Sequence, residues 1–315
     1  MTFQVTILGC SSARPTLSMH HTAHVLRVHE QFFLIDCGEG TQLQLLRYGI
    51  NPLKINAVFL SHLHGDHVYG IFGLLSTMAM MGRQRGLTIV APRPFEEMLR
   101  SHFGYFAVEL PYALDIREVD ARRAGEVVWE SRVLTVSTVP LRHRVPCCGY
   151  LFRERTPDWN VHRHMVEGYG LDPGRIAALK RGEDVVLADG GLLTAAEATY
   201  RPYEGRSYAF CSDTTASGRV ATLVRGVDLL YHEATYLHAD KALAARTGHS
   251  TALQAARVAK KAEAGHLVLG HYSARYKELS RLAAEAQSEF PEAVLGEDGL
   301  VLTVEKDHSL KIARI

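Results

Sequence analysis

Cysteine, long apolar runs and an excess of one charge are all scarce in this 315-residue chain. The five cysteines (Cys10, Cys37, Cys147, Cys148 and Cys211) are odd in number and contain no C-x-x-C pair. They read as buried thiols kept in a reducing compartment rather than as a disulfide framework. The longest uncharged, mostly apolar stretch, Val68 to Gly82, is fifteen residues. A membrane span needs about 20, so this stretch predicts a buried helix and no membrane association. The opening Met1 to Cys10 has no basic flank before its apolar run. No secretory signal is expected there, which favours a cytoplasmic protein. Lys plus Arg number 35 and Asp plus Glu 34, a net charge of +1. A protein that grips nucleic acid over its whole surface carries a large basic excess; here any such contact has to be local, and no DNA partner is expected.

With 47% hydrophobic and 22% charged residues, the composition is that of a globular protein and excludes disorder. At about 150 residues per domain, the length suits two domains or one large core. Apolar runs rich in Val, Ile, Leu, Phe and Tyr predict strands at Phe3–Leu8, His24–Val28, Phe32–Asp36, Asn56–Leu60, Leu87–Ala91, Val127–Trp129 and Arg132–Val139. Others are predicted at Gly149–Phe152, Val185–Leu187, Tyr208–Cys211, Asp228–Tyr231, His266–Leu269 and Leu300–Val304. Helices are predicted at Thr41–Tyr48, Asp66–Gly82, Phe95–Phe103, Ala216–Arg225, Ala239–Arg246, Thr251–Ala262 and Ala274–Phe290. Strands cluster in both halves with helices between them, so a layered sandwich of helices on two sheets fits better than a purely alternating parallel sheet. Between the halves, Arg153 to Gly182 shows little strand pattern and carries Pro157 and Pro173. A structureless insert of that length is uncommon and usually functional or disordered.

What the chain has in abundance is histidine, 17 residues. Ser61-His62-Leu63-His64-Gly65-Asp66-His67 follows the apolar run Asn56–Leu60. On an extended strand end His62 and His64 point to one side. The chain then turns at Gly65, and Asp66 and His67 fold back toward the same point. A loop of solvated histidines is the bland alternative, but three histidines and an aspartate rarely meet at this spacing by chance. Three more donor-type residues each follow an apolar strand: His143, Asp213 and His271. Sites in layered α/β proteins gather outside the carboxyl ends of strands. Five histidines and two aspartates exceed the four ligands of one tetrahedral zinc. They suit two ions sharing a bridging carboxylate, with zinc favoured and manganese or iron allowed by the nitrogen and oxygen donors. Such a pair holds a hydroxide nucleophile, so the chemistry predicted is hydrolysis.

The H-L-H-G-D-H run with the downstream His, Asp and His resembles the metallo-β-lactamase superfamily. The blocks Asp36-Cys37-Gly38-Glu39-Gly40-Thr41-Gln42, His232-Glu233-Ala234-Thr235, His249-Ser250-Thr251 and His271-Tyr272-Ser273-Ala274-Arg275-Tyr276 narrow the resemblance to its ribonuclease Z branch. The first metal motif alone identifies only the superfamily; the later blocks identify the branch. The resemblance implies a mixed α/β (α+β or α/β) fold, the four-layer αββα sandwich. It also implies one domain over residues 1–315 with an inserted flexible substrate-binding arm, which we align with 153–182. The implied activity is a zinc-dependent endoribonuclease that removes 3′ trailers from precursor tRNA, leaving a 3′-hydroxyl on the tRNA. By resemblance His62, His64 and His143 bind one zinc, Asp66, His67 and His271 the other, and Asp213 bridges. Asp66 also accepts the proton of the attacking water, and His249 protonates the leaving oxygen. Glu233 is well placed to orient His249, because a carboxylate partner sets the tautomer of a working histidine. The family typically forms a homodimer in which one subunit's arm presents substrate to the other's site.

The arm's bases are Arg153, Arg155, Arg163, Arg175, Lys180 and Arg181, six against four acidic residues. They would position a folded RNA through its phosphates. Two departures from the family stand out. The arm tip reads Pro173-Gly174, where the family often has Gly-Pro, and the loop after Pro15-Thr16 lacks a later arginine. Two other readings compete: a hydrolase of small esters, lactones or cyclic phosphodiesters on the same scaffold, and a non-catalytic RNA-binding subunit. The second of these predicts missing donors, and none of the seven is missing.

Overall fold

The computed structural model describes residues 1–315 and divides into two compact units, Met1–Glu154 with Ser207–Ile315, and Arg155–Arg206. The larger unit is built on two sheets. The eight-stranded sheet runs in the order Leu310–Arg314, Leu300–Val304, Phe3–Gly9, Ala23–Val28, Gln31–Ile35, Ile55–Phe59, Leu87–Pro92, Leu114–Val119. The seven-stranded sheet runs Val294–Leu295, His266–Gly270, Leu229–Glu233, Ser207–Cys211, Cys148–Glu154, Leu134–Pro140, Val127–Glu130. Each sheet is antiparallel in one part and parallel in the other.

The sheets face each other across one apolar layer. Phe3, Ile7, Phe33 and Phe59 from the first pack with Tyr150, Phe152, Phe210 and Tyr231 from the second. Phe59 lies edge-on to Tyr150 and to Phe152, both at 5.3 Å between ring centres. On the outer face of the first sheet, Leu45, Leu74, Leu75 and Leu99 of the helices Thr41–Arg47, Gly70–Met80 and Phe95–Phe106 form a second core. On the second sheet, the helix Ala252–Lys261 turns Ala252, Ala255, Ala256 and Ala259 inward. It starts at a capping box made by Thr251 and Gln254. These are the four αββα layers expected from the sequence. Central strands such as Ile55–Phe59, Ser207–Cys211 and Leu229–Glu233 are buried along their whole length, which is why they read as continuous apolar runs.

Differences from the expected elements have local causes. The helix expected over Asp66–Gly82 is two helices, Gly65–Val68 and Gly70–Met80. Gly70 sends its N–H outside the helix to the Cys37 carbonyl, and a Cβ there would lie 2.0 Å from the Gly38 carbonyl oxygen. The edge strand Leu114–Val119 carries no apolar strand signal, because Asp115, Arg117 and Glu118 interrupt its pattern. The helix expected over Ala274–Phe290 begins only at Ser280. The segment before it is held in a loop by the Tyr276 hydroxyl, which accepts from the Leu237 N–H and donates to Asp240.

The insert is longer and more ordered than the expected 153–182. The smaller unit runs Arg155–Arg206, with helices Arg163–Gly168 and Pro173–Lys180 and two short two-stranded sheets. Leu171, Leu179, Val185, Leu193, Ala195 and Ala198 form its own core. The strand expected at Val185–Leu187 belongs to it and pairs with Leu192–Leu193. Arg153 lies outside it, on the strand Cys148–Glu154 of the larger unit, where the ladder pairs it with Ser207 and Thr135. No helix is long and apolar enough to cross a membrane.

Two stability predictions follow from the core. Phe152→Ala removes a ring packed against Phe33, Phe59 and Tyr208, and should cost about 3–5 kcal/mol in urea denaturation. His24 is fully buried, accepts or donates one hydrogen bond to the Tyr208 hydroxyl at 2.8 Å, and has its pKa pushed by burial from 6.5 down to about 3. The folded state therefore holds it neutral, and unfolding takes up a proton below pH 6.5. Its contribution is intact above pH 6.5 and is lost progressively as pH falls toward 3, about 2 kcal/mol of it by pH 5. The loss of stability between pH 7 and pH 5, measured on metal-free protein, should shrink by that amount in His24→Phe.

Candidate metal centre and active site

Five strands bring donors to one end of the sandwich. The sequence after Ile55–Phe59 carries His62, His64, Asp66 and His67. His143 follows Leu134–Pro140, Asp213 follows Ser207–Cys211, and His271 follows His266–Gly270. Glu233 closes the strand Leu229–Glu233. Asp36, Asp213 and His271 all have positive φ (56°, 53° and 57°). Non-glycine residues rarely adopt that backbone and tend to do so at functional sites. A glycine would turn more easily here but would bring no donor.

All seven expected donors meet. His62, His64, His143 and Asp213 form one group and Asp66, His67 and His271 another, with ligand atoms in each group within 4.8 Å of one another. Asp213 lies between them. Its Oδ2 is 3.6 Å from His62 Nε2 and 3.7 Å from His143 Nε2, while its Oδ1 is 3.2 Å from the Nε2 atoms of both His67 and His271. A further grouping of Asp213, His249 and His271 satisfies the same distance. In that grouping His249 Nδ1 also lies 2.9 Å from Glu233 Oε1.

The imidazoles are oriented from behind. His67 Nδ1 donates to Asp36 Oδ2 at 2.7 Å and His143 Nδ1 to the Gly248 carbonyl at 2.9 Å. His62 Nδ1 meets the Ser61 hydroxyl at 2.9 Å and His271 Nδ1 the Thr235 hydroxyl at 3.0 Å. In each ring Nε2 is thereby turned inward toward the other donors, the arrangement that metal-ligating histidines show. Ring nitrogens face each other at 3.0 Å (His62 Nε2 and His64 Nδ1) and 3.3 Å (His143 Nε2 and His64 Nδ1). Imidazole nitrogens and carboxylate oxygens converging this closely on one centre are a donor set that fits bound metal.

The field points the same way. Burial raises the pKa of Asp213, but His271, His67 and His62 outweigh it and hold the carboxyl well below the usual range. Burial also opposes ionisation of Asp66, but His67 and hydrogen bonds from His271 and His67 keep it ionised. Burial lowers His67, yet Asp213, Asp66 and Asp36 drive it well above its ordinary value. Positive charge is therefore favoured at the centre of the cluster. His62, His64 and His143, chiefly through burial, are lowered and stay neutral, as ligands must be. His249 departs from this pattern. Burial would lower it, but Glu233, by charge and hydrogen bond, lifts it to about 9.

The donors open onto a cavity of about 400 Å³ whose rim carries Arg14, Arg144 and Arg275. Asp36, Thr235 and Arg275 stand in the blocks that carry the resemblance, and Ser61 heads the histidine run, but none of them has a role at the site assigned from sequence. Asp36 obeys the same rule as the donors, a polar residue just past an apolar strand; Arg144 carries no local signal.

Comparison with known proteins bears on this geometry. Over 302 residues the chain is 42% identical to a ribonuclease Z of Parabacteroides distasonis, covering 96% of this chain and 99% of the relative. A ribonuclease Z of Bacteroides fragilis is 40% identical over the same length, with the same coverage. This chain belongs to the ribonuclease Z family. The crystal structure of the human tRNase Z short form shares the fold, with a TM-score of 0.68 at 24% identity over 95% of this chain and 98% of that one. The metallo-β-lactamase fold protein YhfI of Bacillus subtilis gives 0.66 at 20% identity, covering 96% of this chain and 100% of that one. A family profile described as Anti-Pycsar protein Apyc1 matches residues 3–118, which hold only the first four donors of this ribonuclease Z family member.

The cluster predicts metal-linked stability. A ligand present at about 1,000 times its Kd that binds only the folded chain adds about 4 kcal/mol. Zinc or manganese should therefore raise the unfolding midpoint, a chelator should reverse it, and Asp213→Ala should lose most of the gain in differential scanning calorimetry.

Proposed function

We infer that this protein is a metal-dependent endoribonuclease that removes 3′ trailers from precursor tRNA. A complete set of seven donors in one cluster, in a chain of the ribonuclease Z family, carries this reading. His62, His64 and His143 would hold one cation and Asp66, His67 and His271 the other, with Asp213 shared; we take both to be zinc. Bound there, the cations supply Lewis-acid activation of water and neutralise charge developing on the phosphate.

The chain's own residues handle the protons. Asp66 is ionised and borders the cavity, so it accepts a proton from the attacking water. His249 is held in its acid form by Glu233. It gives its proton to O3′ as the P–O3′ bond breaks, leaving a 3′-hydroxyl on the tRNA and a 5′-phosphate on the trailer. Glu233 retains its charge throughout and restores the tautomer of His249.

The unit Arg155–Arg206 serves as the substrate arm. Its Arg155, Arg163, Arg175, Lys180 and Arg181, with Arg153 at its root, meet the tRNA backbone. Arg163, Arg175 and Arg181 face Glu167, Asp172 and Glu183 in exposed pairs, which water screens and a phosphate can displace. Following the resemblance, the working form is a homodimer in the cytoplasm, where the five free buried thiols stay reduced.

The test is a trailer-bearing precursor tRNA. Cleavage should depend on added metal and release a trailer with a 5′-phosphate; no cleavage by the metal-loaded protein would reject the reading. His249→Ala should slow the reaction by about 10²–10⁴. Because the acid form of His249 is present below its pKa and lost above it, cleavage should decline as pH rises through about 9. Replacing Arg155–Arg206 by a short linker should abolish tRNA cleavage while sparing hydrolysis of a small phosphodiester. Equal loss on both would instead assign the unit a structural role.

A further inference from the structure

Glu233 does more than face His249. Its Oε1 accepts from the Thr214 N–H at 2.7 Å and from His249 Nδ1 at 2.9 Å. Its Oε2 accepts from the Thr235 hydroxyl at 2.5 Å and from the Ser250 N–H at 3.0 Å. The Thr235 oxygen in turn lies 3.0 Å from His271 Nδ1. The Thr235 hydroxyl has one proton. With that proton given to the carboxylate, its lone pair is left to accept the N–H of His271. Glu233, Thr235 and His271 are all buried, so no water substitutes for the missing partner.

The same three-part construction stands across the site. Ser61 Oγ donates to Asp36 Oδ2 at 2.8 Å, and its oxygen meets His62 Nδ1 at 2.9 Å. Two carboxylates, two hydroxyls and two imidazoles thus repeat one geometry, once behind each donor group. Each carboxylate also holds a second histidine directly: Asp36 holds His67, and Glu233 holds His249.

We propose that Thr235 is a positioning residue for the metal site: its hydroxyl relays the charge of Glu233 to His271, fixing the tautomer that leaves Nε2 free for the cation. One carboxylate then serves both the proton donor and a metal ligand. Removing the hydroxyl leaves His271 Nδ1–H buried without an acceptor and lets the ring turn or take the other tautomer. The loss falls on metal affinity, because His249 keeps its own bond to Oε1. Partners of this kind are worth about 10- to 100-fold in metal affinity.

The inference rests on reading the cluster as a metal site, and its test reads zinc binding rather than RNA cleavage. Zinc affinity of the full chain is measured by competition with a chromophoric chelator in wild type, Thr235→Val and Thr235→Ser. Thr235→Val, of nearly the same shape, should weaken one zinc equivalent by about 10- to 100-fold. Thr235→Ser, which restores the hydroxyl, should stay within about threefold of wild type. Thr235→Ala is carried alongside and must show the same loss as valine, with circular dichroism of the zinc-free proteins confirming the fold. Wild-type affinity in Thr235→Val, or an equal loss in Thr235→Ser, overturns the relay. If the zinc result holds but precursor tRNA is not cleaved, the functional reading fails and the relay stands. If wild type binds no zinc, the relay falls.

Discussion

Burying the carboxylates Asp36, Asp213 and Glu233, and Asp66 almost as deeply, among imidazoles at the sheet ends is the constraint that organises this molecule. An unpaired buried charge costs several kcal/mol, so each carboxylate has to be met by donors. Asp36 is met by Ser61 and His67, Glu233 by Thr214, Thr235, His249 and Ser250, and Asp213 by His62, His67, His143 and His271. These partners come from strands far apart in sequence. Satisfying them ties the ends of both sheets together, and the apolar layer between the sheets keeps those ends in register.

The same compensation separates roles among chemically similar groups. His62 is buried, and His64 and His143 half-buried, beside other imidazoles, and all three are kept neutral, while His249 faces Glu233 and is kept protonated. Environments that push like groups apart distinguish acid from ligand in many active sites. The rings that meet a carboxylate, His67 on Asp36 and His249 on Glu233, are raised, and those governed chiefly by burial are lowered.

The larger unit's core is continuous through facing aromatic residues, whereas Arg155–Arg206 has a small core of six buried apolar residues. Basic side chains there stand in exposed pairs with neighbouring carboxylates. Exposed pairs of this kind are screened by water and contribute little to stability.

Much of this was legible in the chain itself. Continuous apolar runs marked the central strands, because a strand covered on both faces has no polar side to show, and polar donors just past those runs marked all seven members of the cluster. Edge strands such as Leu114–Val119 and the limits of the smaller unit were not legible, because exposed positions tolerate any residue and a small core leaves little periodicity. The chain alone determined the donor types and their places at strand ends, and hence a metal-hydrolase chemistry. The resemblance had already grouped the donors around Asp213; only the tertiary structure gave the distances between them and showed that Ser61 and Thr235 link carboxylate to imidazole. Those relations depend on strand order and on left-handed turns at Asp36, Asp213 and His271, and residue spacing does not encode distances between strands that pair across the sheet.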